Sequence, residues 1–121
     1  MRDPGLGAFG ENLAARFLES QGYKILERNF KVKWGEIDII AQDRDTICFV
    51  EVKLRTSGHF GLPQEAVEFR KRRKLVRVAQ GYLKIKFSTD ERQARFDVVA
   101  ISRDSKGNYF PELFKNAFDC P

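Results

Sequence analysis

The stretch Gly35-Glu36-Ile37-Asp38-Ile39-Ile40-Ala41-Gln42-Asp43-Arg44-Asp45-Thr46-Ile47-Cys48-Phe49-Val50-Glu51-Val52-Lys53 decides the fold. Two runs rich in β-branched and aromatic residues flank the polar link Gln42-Asp43-Arg44-Asp45-Thr46, the pattern of a β-hairpin. With Arg44-Asp45 at the tip, Asp43 pairs with Thr46, and counting back sets Asp38 opposite Glu51. Side chains alternate faces along a strand, so Glu51 and Lys53 share one face and Val50 and Val52 take the other. Directly opposed Cβ atoms lie about 4.5–5.5 Å apart. Two carboxylates that close repel unless a positive charge sits between them, and a divalent metal is the economical answer.

Outward from this hairpin the chain alternates helix and strand patterns. Before it, Phe9, Leu13, Ala14, Phe17 and Leu18 keep helical spacing, and Gly22 stands where a glycine would stop that helix. Residues 23–30 read as a strand and Lys31 to Trp34 as a basic connection. After the hairpin, residues 56–62 read as a loop containing Gly58 and Gly61. A second helix is expected over about 69–84, with Leu75, Val78, Ala79, Tyr82 and Leu83 as its apolar stripe. A polar loop at 88–93 precedes the strand Arg95-Phe96-Asp97-Val98-Val99-Ala100-Ile101, a turn at 104–108 and a last extended piece near 109–114. The expected architecture is α/β, a mixed sheet flanked by helices, whose first three strands form an antiparallel meander.

Composition bounds the function. At 121 residues, with 42% hydrophobic and 32% charged residues, the chain reads as one folded domain, able to bury roughly two-thirds of its unfolded surface. No apolar run approaches the about 20 residues of a membrane span, and no segment reads as a signal peptide. Cys48 falls inside a strand and Cys120 beside the last residue, which suits two free thiols in a reducing cytoplasm. A net charge of +5 favours an anionic partner, nucleic acid first.

A helix glutamate, a hairpin aspartate, Glu-x-Lys on the next strand, then a helix and a strand resemble the PD-(D/E)XK nuclease superfamily. More closely, Phe9-Gly10-Glu11, Gly35-Glu36-Ile37-Asp38, Phe49-Val50-Glu51-Val52-Lys53-Leu54-Arg55, Arg95-Phe96-Asp97-Val98-Val99 and Asn116-Ala117-Phe118 resemble the bacterial YraN family, in order and at matching intervals from about residue 7 to 118. Its members are predicted nucleases related to archaeal Holliday-junction resolvases. The resemblance implies a restriction-endonuclease-like αβββαβ core. Ile37 stands where the superfamily name has proline, and the carboxylate after it is kept.

Phosphodiester hydrolysis needs a nucleophilic water, stabilisation of a charged transition state and a protonated leaving oxygen. Mg²⁺ or Mn²⁺ takes hard oxygen ligands, which Asp38, Glu51 and the backbone carbonyl of Val52 can supply. Lys53, beside Glu51, is placed to orient the water or contact the phosphate. For Glu11 the resemblance implies a catalytic role near the metal water or a second ion, while a glutamate favoured by the helix macrodipole is the structural alternative. Glu36 should share a face with Asp38, as a further ligand or, the favoured reading, a solvated strand residue at the sheet edge. Asp97 interrupts an apolar strand and reads as a hydrogen-bonded structural aspartate. His59, the only histidine, lies in a glycine-flanked loop and is given no catalytic role.

The basic run Arg70-Lys71-Arg72-Arg73-Lys74, continued by Arg77, Lys84 and Lys86, sorts by helical phase. With Leu75 at the centre of the buried face, Arg70, Arg73, Arg77 and Lys84 point outwards, as a phosphate-binding ridge or a solvated face; the net charge favours the ridge, and Arg73 and Arg77 are expected to bind phosphate. Lys71 lies one turn before Leu75 and points towards the sheet; it is expected to contact phosphate or support the acidic pair, with a core-edge lysine whose ammonium reaches solvent as the structural alternative. Arg55 continues the face of Glu51 and Lys53, with a backbone-phosphate contact expected. The expected function is a metal-dependent nuclease acting on DNA with little sequence preference, the resemblance pointing to branched or junction DNA. The alternatives are a non-catalytic nucleic-acid-binding module and a protein-interaction domain whose acidic pair is structural. A two-fold homodimer would match the symmetry of a junction.

Overall fold

A computed structural model of the chain describes residues 4–55, 69–88 and 93–117. Helix α1 (Pro4–Ser20) leads into strands β1 (Lys24–Val32), β2 (Gly35–Asp43) and β3 (Thr46–Arg55), followed by helix α2 (Phe69–Phe87) and strands β4 (Ala94–Arg103) and β5 (Tyr109–Phe114). The strands form one sheet in the order β1-β2-β3-β4-β5. β1, β2 and β3 are the expected antiparallel meander. α2 carries the chain across to β4, which runs parallel to β3, and β5 returns antiparallel to β4. The αβββαβ order expected from the sequence is the order found, with β5 added at one edge. The loop at 56–62, and His59 within it, lies outside the described residues, as does Cys120.

Each helix covers one face of the sheet. On the α1 face, Ala14, Ala15 and Leu18 pack against Ile39, Ala41, Cys48, Val50, Val52, Val99 and Ile101. On the α2 face, Leu75, Val78, Ala79, Tyr82 and Leu83 pack against Ile37, Ile40, Ile47, Phe49, Phe96 and Val98. The interior runs of β3 and β4 are apolar on both faces because helices cover both. β1, at the sheet edge, is exposed or half-buried throughout and carries the charged residues Lys24, Glu27, Arg28 and Lys31, which suit an edge. Among the described residues, no helix is long and apolar enough to cross a membrane.

Local signals end the elements where the sequence suggests, with small shifts. Gly22 takes φ +92°, the amide of Gly22 bonds the Glu19 carbonyl, and that of Tyr23 bonds the Leu18 carbonyl. That is the Schellman closure of α1, and only glycine adopts the conformation without strain. α2 runs three residues beyond its expected end, to Phe87, because Phe87 still packs on the α2-side core. β1 extends past Phe30 through Lys31 and Val32, which pair with Glu36 and Gly35, leaving Lys33-Trp34 as the turn. At the β4–β5 turn, the Asp104 carboxylate accepts from the amides of Lys106 and Asn108 at 2.9 and 2.8 Å. These bonds, the one from Asn108 foremost, hold its carboxyl below the usual carboxylate range.

Candidate functional site

The hairpin register sets the site. Asp43 pairs with Thr46, Ile40 with Phe49 and Ile39 with Val50, so the next position along brings Asp38 level with Glu51. The ladder is not continued there. Instead, the Asp38 carboxylate accepts a hydrogen bond from the backbone amide of Val52 at 2.9 Å. In an antiparallel strand the N–H and C=O of one residue point to the same side, so the Val52 carbonyl leaves β3 on the side where Asp38 lies. On the other strand, Arg28 pairs with Ile39 and Phe30 with Ile37, which sets Asn29 across from Asp38. Asn29 has φ 53°, a left-handed conformation that asparagine tolerates better than most residues.

Asp38 and Glu51 are both buried, and with Lys71 they line one cavity of about 270 Å³ between β2, β3 and α2. Trp34, Gly35, Glu36, Lys74, Leu75 and Val78 complete its wall. Lys71 turns towards the sheet, as its helical phase predicts, and its ammonium donates to Oε1 of Glu51. Lys53, on the Glu51 face, sits 3.9 Å from the same oxygen but does not line the cavity. Burial pushes the Glu51 carboxyl above the usual range, the Asp38 carboxylate pushes it further, and Lys71 and Lys53 pull it back. Among the described residues, no group of three or more His, Cys, Asp and Glu side chains gathers as a metal set. The oxygens that could hold a hard cation are the two carboxylates and the Val52 carbonyl. That donor set suits Mg²⁺, which keeps several waters and takes one or two protein carboxylates.

Glu11 lies elsewhere. Its Oε1 accepts from Asn29 Nδ2 at 2.7 Å and Arg28 Nε at 3.3 Å, so α1 is tied to β1 beside the position across from Asp38. It is buried and outside the cavity wall. Glu36 is exposed and reaches both the cavity wall and Lys31, at 3.9 Å. Arg73 and Arg77 are exposed on α2, with Arg70 and Lys84 on the same outer side. The side chain of Arg55 lies outside the described residues. Trp34 and Lys74 join the site without a sequence argument having singled them out. The signal was an aromatic residue immediately before the Gly35-Glu36 start of the acidic strand.

Asp97 serves structure. Fully buried, it receives Arg95 Nε at 2.9 and 3.1 Å and the Asn116 amide at 2.9 Å. Arg95 also reaches the Tyr23 hydroxyl and, at 3.0 Å, Asp43. The Asn116 and Ala117 amides thus tie the end of the described chain to β4, the second through the Phe96 carbonyl at 2.8 Å. Asn116 takes φ 51° to do so. Burial, then the Asp97 charge, pushes the Tyr23 hydroxyl and the Cys48 thiol up to about 12, so both are protonated at neutral pH.

The profile of the "Uncharacterised protein family UPF0102" matches residues 10–101, from α1 to β4. The chain belongs to the UPF0102 family, the YraN family of the sequence resemblance. It is 46% identical over 114 residues to a UPF0102 protein of Clostridium botulinum, covering 93% of each chain. Another UPF0102 protein, from Caldanaerobacter subterraneus subsp. tengcongensis, is 51% identical over 96 residues, covering 79% of this chain and 78% of that one. A third, from Syntrophus aciditrophicus, is 50% identical over 113 residues, covering 93% and 87%. Among solved structures, Pyrococcus furiosus SfsA in complex with Ca²⁺ aligns with a TM-score of 0.42 and 13% identity, over 91% of this chain and 63% of that one. The family match includes Glu11, Asp38, Glu51, Lys53, Lys71 and Asp97, all within its bounds.

Proposed function

We propose that this UPF0102 chain is a metal-dependent nuclease that hydrolyses phosphodiester bonds in DNA, with Mg²⁺ or Mn²⁺ as cofactor and branched or junction DNA as the preferred substrate. The observation that carries this reading is the pair of buried carboxylates, Asp38 and Glu51, lining one cavity together with Lys71. Asp38, Glu51 and the Val52 carbonyl would hold the cation. When bound, such an ion lowers the pKa of a water and neutralises charge developing on the phosphate. Lys53, within 3.9 Å of Glu51, would hydrogen-bond the attacking water or a phosphate oxygen. Lys71 supplies a second ammonium beside Glu51, on the cavity side. Arg55, Arg73 and Arg77 would hold the flanking backbone, which positions the nucleic acid without reading its sequence. Glu11 would act through Asn29, its hydrogen-bond partner across from Asp38.

A second reading has its own support. The Lys71 ammonium already neutralises Glu51, as it would in a nucleic-acid-binding module that keeps the fold and needs no metal. Labelled four-way junction, duplex and single-stranded DNA, incubated with Mg²⁺, Mn²⁺ or chelator, separate the two. The nuclease reading expects metal-dependent cleavage that Asp38→Asn and Glu51→Gln both abolish. Binding without cleavage of any substrate would replace it with the module.

A further inference from the structure

Trp34 lines the cavity, and the hydrolytic chemistry leaves it unused. It is the only tryptophan of the chain, is 54% exposed and lines the same cavity as Asp38 and Glu51. A two-residue turn between strands has no need of an indole, and this one leaves about half of its area in water. Its position is set by its neighbour. A Cβ on Gly35 would come within 3.2 Å of Val78 Cγ2, so the missing side chain lets the β1–β2 turn close against α2. The adjacent indole is thereby kept at the cavity wall between β2 and α2. Lys31 and Lys33, both exposed, precede Trp34 at the end of β1 and in the turn, and Lys74 lines the same cavity.

An open aromatic face flanked by ammonium groups suits one chemistry well. A nucleobase stacks on the ring while the cations take the phosphates to either side. The neighbouring carboxylates sharpen the choice, because the uncharged base tolerates Glu36 and Asp38 where a phosphate would be repelled. Bases inside a closed duplex are already stacked on both faces, so the platform is available only to an unpaired nucleotide.

We propose that Trp34 is a stacking platform for an unpaired nucleotide and that it gives the chain a preference for single-stranded or branched DNA over closed duplex. This rests on the nucleic-acid reading above and adds the part of the substrate that the cavity recognises. Because the chain has one tryptophan, its fluorescence reports on this position alone. The full chain is titrated with oligothymidylate and with a hairpin-closed duplex in the presence of chelator, so that no strand is cut. Fluorescence anisotropy of labelled DNA is followed in parallel. The single strand should bind more tightly than the duplex and quench Trp34. Trp34→Ala should weaken single-strand binding on the order of tenfold and leave duplex binding nearly unchanged. Trp34→Phe should recover most of the loss. If Trp34→Ala fails to fold by circular dichroism, the quenching and the phenylalanine variant decide. Full single-strand binding with no change in Trp34 fluorescence, or equal affinity for both DNAs, overturns the platform and leaves the nuclease reading standing. If neither DNA binds even at low salt, the nucleic-acid reading and the platform fall together.

Discussion

Replacing Lys71 with methionine isolates the electrostatics of the site. Glu51 keeps 7% of its side chain exposed and Lys71 keeps 43%, so the pair is only half withdrawn from water. Breaking a fully buried ion pair costs about 3–5 kcal/mol, and a hydrogen bond to a charged group is worth about 1.5–3 kcal/mol. With solvent screening on the lysine side, Lys71→Met should cost about 2 kcal/mol at pH 7, a fall in Tm of roughly 6–10 °C for a chain of this size. The sign of the pH dependence follows from Glu51. Its carboxyl is raised, first by burial and then by Asp38, so the folded state loses stability as pH rises through that raised value and Glu51 ionises. Lys71 recovers part of this loss. Without Lys71 the Glu51 carboxyl is raised further, so the cost of Lys71→Met should be complete above the variant's Glu51 value and fade as pH falls from it to the parent's, a window above the ordinary carboxylate range. Glu51→Gln should be neutral or stabilising at pH 7, and adding it to Lys71→Met should restore stability to near that of the parent. Urea denaturation of the four proteins at neutral and acid pH gives the cycle. A Lys71→Met protein within about 0.5 kcal/mol of the parent at pH 7, or a double variant that keeps the full Lys71→Met loss, would refute the reasoning.

If α2 tracks a phosphate backbone, Arg73→Ala with Arg77→Ala should weaken binding to all duplexes alike and flatten the log–log salt slope by up to about two. Lys53→Ala in the same anisotropy series should leave binding largely intact and remove cleavage. Asp97→Ala should cost about 2–3 kcal/mol by leaving the Asn116 amide without its acceptor and Arg95 with Asp43 as its remaining carboxylate partner. Its thermal unfolding and Mn²⁺ titration should show a loss of stability with no loss of the metal affinity that Asp38 and Glu51 are proposed to provide.

Much of this site was legible in the chain before any coordinates. Strand alternation and hairpin register are local rules with a period of two, so Asp38 and Glu51 could be set level by counting from Arg44-Asp45. Helical phase is equally local, which is why Lys71 could be turned towards the sheet from its spacing to Leu75, and Asp97 read as structural from its place within an apolar strand. What each group would meet was less accessible. That Lys71 closes on Glu51 depends on how α2 lies across the sheet as it links β3 to the parallel β4. That Arg95 and Asn116 are the partners of Asp97 depends on β5 folding back along β4.

Two features were settled by the tertiary structure alone. Glu11 sits in a helical pattern with several possible roles, and only the docking of α1 over β1 gives it Arg28 and Asn29 as partners. Trp34 reads in sequence as one residue of a basic connection, and only the closure of the β1–β2 turn on Val78 brings it to the wall that Asp38 and Glu51 share. The division has a physical cause. The amino-acid sequence by itself determines which face of an element a side chain occupies, because that follows from backbone geometry over a few residues. Which faces meet is decided by burying both apolar faces of the sheet at once, a condition that involves the whole chain.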